Sequence, residues 1–323
     1  MLHEETGIPC TFKSEHMKLI TDNIMLNPKY SIGSWAFSFG PFEAAPWSFD
    51  KFLQFAAEAG YDGIEINGFL PHPHPDVYDT QEKCADIKKK INDLGLGISG
   101  YAPDFRHLPP AEVPIGDFQD AVDRCIRFCN HMEIDILRVD TISPPDDLSD
   151  EVYKRRFHHL ADSWRAAAEH CKMAGIKMVW EFEPGFWLNK PSEVKSIIEA
   201  VNHSHFKALF DTSHAYMGAM IGARQAGEKE ILQGGITEYA RMLEGLIGHF
   251  HLIDSDGKLH DNETSVHAPF GDGLINFSTF LSDTKDIFSQ FDWWCFDFCF
   301  CPTTERDAPK AIEFVNQIVK QIS

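Results

Sequence analysis

Phe206-Lys-Ala-Leu-Phe-Asp211-Thr-Ser-His214 reads as a short apolar strand that ends on a carboxylate, with an imidazole three residues on. Three other apolar runs deliver an acid or imidazole in the same way: Lys177-Met-Val-Trp-Glu181, His249-Phe-His251-Leu-Ile253 and Trp293-Trp-Cys-Phe-Asp297. In a parallel closed sheet, side chains at strand carboxyl ends face one shared mouth, so groups from four successive strands converge without long loops. Glu181, Asp211, His251 and Asp297 would then supply three carboxylates and one imidazole to a single divalent cation. Mn2+ suits that set best, with Mg2+, Co2+ or Zn2+ as alternatives. An isolated acid at a strand end is more often a helix cap or a solvated carboxylate. Its recurrence on four consecutive strands decides for the metal.

The rest of the chain fits the same frame. Strands are predicted near Tyr30–Trp35, Gly63–Ile66, Leu96–Tyr101, Ile136–Val139, Lys177–Glu183, Ala208–Asp211, His249–Ile253 and Trp293–Cys299. Helical patterns separate them at Phe49–Ala59, Thr80–Asp93, Asp117–Met132, Glu151–Ala174, Ser192–Val201 and Arg306–Ile322. Gly60, Gly95 and Gly175 fall where a helix should stop before the next strand. Strands alternating with helices predict an α/β fold, a (β/α)8 TIM barrel. A doubly wound open sheet is the alternative, but no G-x-G-x-x-G follows the first strand. The expected division is an N-terminal extension over 1–29 and one barrel domain over 30–323. The glycine-rich insertion Gly218–Gly235 is expected to overhang the mouth as a lid, a subunit contact or a plain surface excursion.

Composition narrows the function class. The 323 residues include 29 basic and 49 acidic ones, a formal charge of −20 that opposes nucleic acid and anionic membrane as partners. No apolar run approaches the roughly 20 residues that span a bilayer. Charges at Glu4, Glu5, Lys13, Glu15 and Lys18 break any secretory leader. The eight cysteines are scattered, without a paired metal motif or disulfide spacing. A cytoplasmic protein with a small-molecule substrate is expected.

The motifs also carry a resemblance. Ala59-Gly-Tyr-Asp-Gly-Ile-Glu65, Trp180-Glu-Phe-Glu-Pro-Gly185, Phe210-Asp-Thr-Ser-His214, His249-Phe-His-Leu-Ile-Asp254 and His267-Ala-Pro-Phe-Gly-Asp-Gly273 are similar to motifs of the sugar phosphate isomerase/epimerase superfamily. These are the xylose isomerase-like barrels, which also include endonuclease IV, and the similarity spans about residues 30–320. It implies metal ligands at Glu181, Asp211, His251 and Asp297. It also implies proton abstraction next to a carbonyl, through an enediolate that the cation stabilises as a Lewis acid. Isomerisation, epimerisation and elimination all remain open from that intermediate. There are departures. Asp297 stands where a glutamate is usual, Ser265 where the multinuclear branch has an aspartate, and strand three lacks a histidine. These argue against a phosphodiesterase site.

Candidate roles follow. His214, by its near-neutral pKa, and Glu183, on the same strand side as Glu181, are the expected proton-transfer groups. His267, Arg138, Trp35, Tyr101 and His72 are the expected substrate-binding groups, with His249 filling the barrel interior. Aromatic residues near strand ends (Trp35, Phe37, Phe39, Trp47, Phe69, Tyr101, Phe186 and Trp187) suit a sugar ring or flat aglycone, and core packing accounts for many of them. The leading function is a metal-dependent isomerase or epimerase of a keto-sugar. A lyase is the alternative: a dehydratase, or the catalytic subunit of a C-glycoside deglycosidase acting on 3-oxo-C-glycosides. The last resembles enzymes that need a small β-rich partner subunit, while the insertion leaves room for a homo-oligomer. A non-catalytic metal- or sugar-binding barrel is a third reading.

Overall fold

The computed structural model describes residues 25–323, so most of the expected N-terminal extension lies outside the described residues. Eight parallel strands close into a barrel: β1 (Lys29–Gly33), β2 (Gly63–Asn67), β3 (Gly97–Ala102), β4 (Ile136–Val139), β5 (Lys177–Glu181), β6 (Phe206–Asp211), β7 (Ile247–Leu252) and β10 (Trp293–Phe296). β1 pairs with both β2 and β10, which seals the ring. The remaining two strands, β8 (Asp254–His260) and β9 (Thr264–Ala268), form an antiparallel hairpin after β7.

Helices wrap the outside. The main ones are α1 (Phe49–Glu58), α2 (Gln81–Asp93), α3 (Ile115–Met132), α4 (Asp150–Met173) and α5 (Pro191–Val201), with α10 (Thr304–Ile322) closing the chain. Between α5 and α10 lie the shorter α6 (Thr212–Tyr216), α7 (Gly235–Met242), α8 (Phe277–Asp283) and α9 (Lys285–Phe288). Each long helix buries one apolar stripe on the sheet. Trp164 of α4 is fully buried with its ring 5.2 Å from Trp180 and 5.0 Å from Phe206, tying that helix to β5 and β6. Gly60 and Gly175 take φ of +85° and +74° just past their helices, where a side chain would be strained.

The strand amino ends are closed by Trp293. A Cβ on Gly63 or Gly97 would lie 2.6 or 2.9 Å from its ring, so glycine is required for that close approach. The open end is therefore the carboxyl end. There the register sets Asp211 beside His251, and His251 beside Cys295, two residues before Asp297. Predicted strands and helices match the observed ones to within a few residues. The hairpin β8–β9 and α7 are additions that the sequence reading left as loop. The hairpin turns through the three residues Asp261–Glu263, with Asp261 and Asn262 both at positive φ. Among the described residues, no helix is long and apolar enough to cross a membrane.

Candidate active site

Glu181, Asp211, His251 and Asp297 are buried together at the carboxyl end of the barrel, each offering a ligand atom within 4.8 Å of the others. His251 Nδ1 lies 3.1 Å from Glu181 Oε1 and 3.8 Å from Asp297 Oδ2. Asp297 is held by its other oxygen. Oδ1 accepts from the Trp35 indole at 2.7 Å and from the Cys299 backbone at 2.8 Å, and His267 Nδ1 stands 3.3 Å away. Asp211 Oδ1 accepts from the His214 backbone N–H at 2.8 Å, while its Oδ2 is buried without a partner. Burial pushes the Asp211 carboxyl up to about 7, with His267 opposing and Asp297 and Glu181 adding to the rise. An orphaned carboxylate oxygen among acids and an imidazole, in reach of three other ligand atoms, fits a divalent cation.

Beneath this set, inside the barrel, sits Glu65. Its Oε2 meets His249 Nε2 at 2.8 Å and His251 Nε2 at 3.2 Å. Burial would raise this carboxyl, but the two imidazoles, His251 foremost, hold it well below the usual range. His249 is thus the interior group that the sequence suggests, with a defined partner.

Beside the ligands, Arg138 Nη1 contacts Glu181 Oε2 at 2.5 Å, and its Nε donates to Asp140 Oδ1 at 3.1 Å. Glu183 Oε1 is 4.0 Å from the same guanidinium, and its Oε2 accepts from the Thr264 hydroxyl of β9. Burial drives the Glu183 carboxyl up to about 8; Arg138 opposes this, and Asp140 and Glu181 reinforce it. Near neutral pH, Glu183 therefore carries a proton.

His214 corrects its expectation in part. It is buried, with Nδ1 2.8 Å from Ser265 Oγ, and burial lowers its pKa to about 3 despite the Glu181 carboxylate. It is a neutral imidazole through the physiological range, not a group that titrates near pH 7. Ser265, where an aspartate would have given charge, instead orients this ring. His267 lies 5.2 Å from it, ring to ring, and Asp211, His214 and His267 form a second group close enough to hold an ion. Burial lowers the His267 pKa, but Asp297 outweighs it and brings the value to about 9.

A cavity of about 500 Å³ opens onto this floor, and Glu181, Glu183, His214, His267, Asp297, Arg138 and Trp35 all line it. Its upper wall is aromatic, from Phe39, Phe69, Phe105, Phe186 and Phe300. Two predicted substrate contacts do not reach it. Tyr101 is fully buried on the outer face of β3, its ring 4.7 Å from Phe128 of α3, because strand alternation turns it away from the lumen. His72 is also fully buried. Its ring nitrogens are each 3.0 Å from Ser34 Oγ and the Trp47 carbonyl, so it pins the loop after β2 rather than edging the mouth. Burial lowers its pKa to about 4. Sequence reasoning missed Asp140, Thr264 and Glu263, and missed Arg224, which the insertion brings to the cavity wall. Nothing in the spacing of a loop announces where its tip will fold back.

Comparison with known proteins completes the description. The family model described as xylose isomerase-like TIM barrel matches residues 53–317. The chain belongs to that family. It is therefore an enzyme barrel, as its relatives are. It is 22% identical over 296 residues to D-psicose 3-epimerase of Enterocloster bolteae, covering 84% of this chain and 90% of that protein. A D-tagatose 3-epimerase-like protein superposes with a TM-score of 0.68 at 19% identity, covering 91% of this chain and 98% of the other. The probable 3-DHS dehydratase of Bacillus anthracis gives 0.67 at 16% identity, covering 89% and 98%. Epimerase and dehydratase chemistries thus share this barrel shape.

Proposed function

We propose that the chain is a divalent-cation-dependent isomerase or epimerase of a sugar ketone, working by proton transfer next to the carbonyl. The observation that carries this is a cluster of four buried cation ligands, two of which (Glu181 and Asp297) line the same cavity as a protonated carboxyl and a neutral imidazole. A bound cation supplies Lewis-acid polarisation of the substrate carbonyl. Neutral His214 enters as a proton acceptor, its orientation held through Ser265. Glu183 enters as a proton donor, kept in place by Thr264 and Arg138. A base and an acid in opposite protonation states at the same pH are the pair that an enediolate needs on each side. Arg138, half ringed by Asp140, Glu181 and Glu183, offsets the negative charge of the floor and presents donors to a substrate oxygen.

A lyase reading of the same chemistry is favoured by two details. Asp297 has one oxygen engaged by Trp35 and Cys299, which leaves it no freedom to shuttle a proton. The five phenylalanines above the floor also suit a flat, apolar substituent on the sugar, as in a 3-oxo-C-glycoside. The enzyme would then expel that substituent from the enolate. Incubation of the Mn2+-loaded protein in D2O with keto-sugars and 3-oxo-glycosides separates the readings. Solvent deuterium in a recovered epimer or isomer supports the first, and release of an aglycone or water supports the second. Absence of exchange and of release on every candidate would refute both.

A further inference from the structure

His251 has two ring nitrogens, and both face acids. Nδ1 points between Glu181 and Asp297, and Nε2 lies 3.2 Å from Glu65 Oε2 at the inner side. A neutral imidazole has one N–H and one lone pair, so it binds a cation through Nδ1 only if its proton resides on Nε2. Two carboxylates beside Nδ1 would otherwise draw the proton there. Glu65 is the acceptor at the opposite nitrogen. It is fully buried, and among the described residues its ion-pair partners are the two imidazoles of β7, with no Lys or Arg.

The fold makes space for this acid. A Cβ on Gly100 of β3 would lie 3.1 Å from Glu65 Cδ and 3.3 Å from Oε1. The β2–β3 register also shifts between Ile64 and Glu65, at the point where the side chain enters the lumen. A missing side chain on β3 and an irregular pairing on β2 both serve one buried carboxylate. His249, two residues before His251 on β7 and 2.8 Å from the same oxygen, steadies it as well.

We infer that Glu65 is a positioning residue: its carboxylate holds the His251 proton on Nε2 and so presents the Nδ1 lone pair to the cation between Glu181 and Asp297. This rests on the metal reading given above. A ligating histidine whose outer N–H is held by a carboxylate loses roughly 10- to 100-fold in metal affinity when that carboxylate is removed.

The test is Mn2+ titration of the full chain by calorimetry, with the metal-free thermal midpoint measured in parallel. Glu65→Leu should raise the Mn2+ Kd by roughly 10- to 100-fold, and Glu65→Gln, which keeps an acceptor oxygen, should recover part of that loss. A Glu65→Leu protein that binds Mn2+ within about threefold of wild type, while Asp211→Ala loses binding, overturns the inference and spares the metal site. Unchanged binding in Asp211→Ala overturns the metal reading and the inference with it. Should Glu65→Leu fail to fold, 15N-histidine NMR of the Zn2+-loaded wild type decides. The proton of His251 is expected on Nε2, and a proton on Nδ1 refutes the role.

Discussion

Protons and a divalent cation compete for the same atoms in this site, and the competition sets a measurable pH dependence. Asp211 is pushed up to about 7 by burial. At pH 6 about ten in eleven copies of this carboxyl carry a proton that must leave before a cation binds; at pH 8 about one in eleven do. That difference makes binding about tenfold tighter at pH 8, or about 1.4 kcal/mol. His251 adds to it. Burial lowers its pKa, but Glu65, Cys295 and Glu181 outweigh burial and hold it well above the ordinary value, which favours the protonated ring whose proton a cation must displace. That release steepens the dependence in the same direction. Glu181 and Asp297 are held ionised, by Arg138 and by the His267 and His251 imidazoles respectively, and add no slope. Affinity for Mn2+ should therefore rise by at least about tenfold from pH 6 to pH 8, with protons released as the ion binds. Calorimetry in two buffers of different ionisation enthalpy measures both quantities. A flat Kd over this range, or binding without proton release, would refute the assignment of these groups as ligands.

Other expectations concern single residues. Glu183→Gln should lower turnover by roughly 10²- to 10⁴-fold with little change in KM. In wild type, a donor role makes kcat fall as pH rises through about 8, where Glu183 loses its proton; a rise through that range in the pH–rate profile would assign it as base. Trp164→Ala, which empties the contact between α4 and the Trp180 and Phe206 rings, should cost about 3–5 kcal/mol in a denaturant titration. Tyr101→Phe removes a hydroxyl that is buried without a partner, so stability should change by less than about 1 kcal/mol. KM should not move in that variant, and a raised KM would return Tyr101 to the substrate wall.

Much of the site was legible because its chemistry is written at strand ends. An acid closing an apolar run faces the barrel mouth, and four such runs in succession left little freedom of arrangement. The two misplaced residues show where that logic stops. Tyr101 ends a strand, but parity turns it outward, and the irregular pairing near Gly100 conceals the parity from a reader of spacing alone. His72 lies in a proline-rich loop whose path is set by contacts with Ser34 and Trp47, distant in the chain. Glu65 was the readable signal that passed unused. An acid at the centre of Gly63-Ile-Glu-Ile-Asn67 must be buried, and a buried acid needs a partner, which two histidines on one later strand supply. Thr264 and Arg224 had no such signal, since a hairpin and an insertion bring them in from above the barrel.

Metal analysis of the purified wild type and of Asp211→Ala, after equilibration with Mn2+ and removal of unbound ion, tests the central claim most directly. Asp211 reaches the site with an unpartnered buried oxygen, its other oxygen capping the helix that carries His214. The expected result is a tightly held divalent ion in the wild type that is lost from a folded Asp211→Ala protein. Equal metal content in both would contradict the site described here.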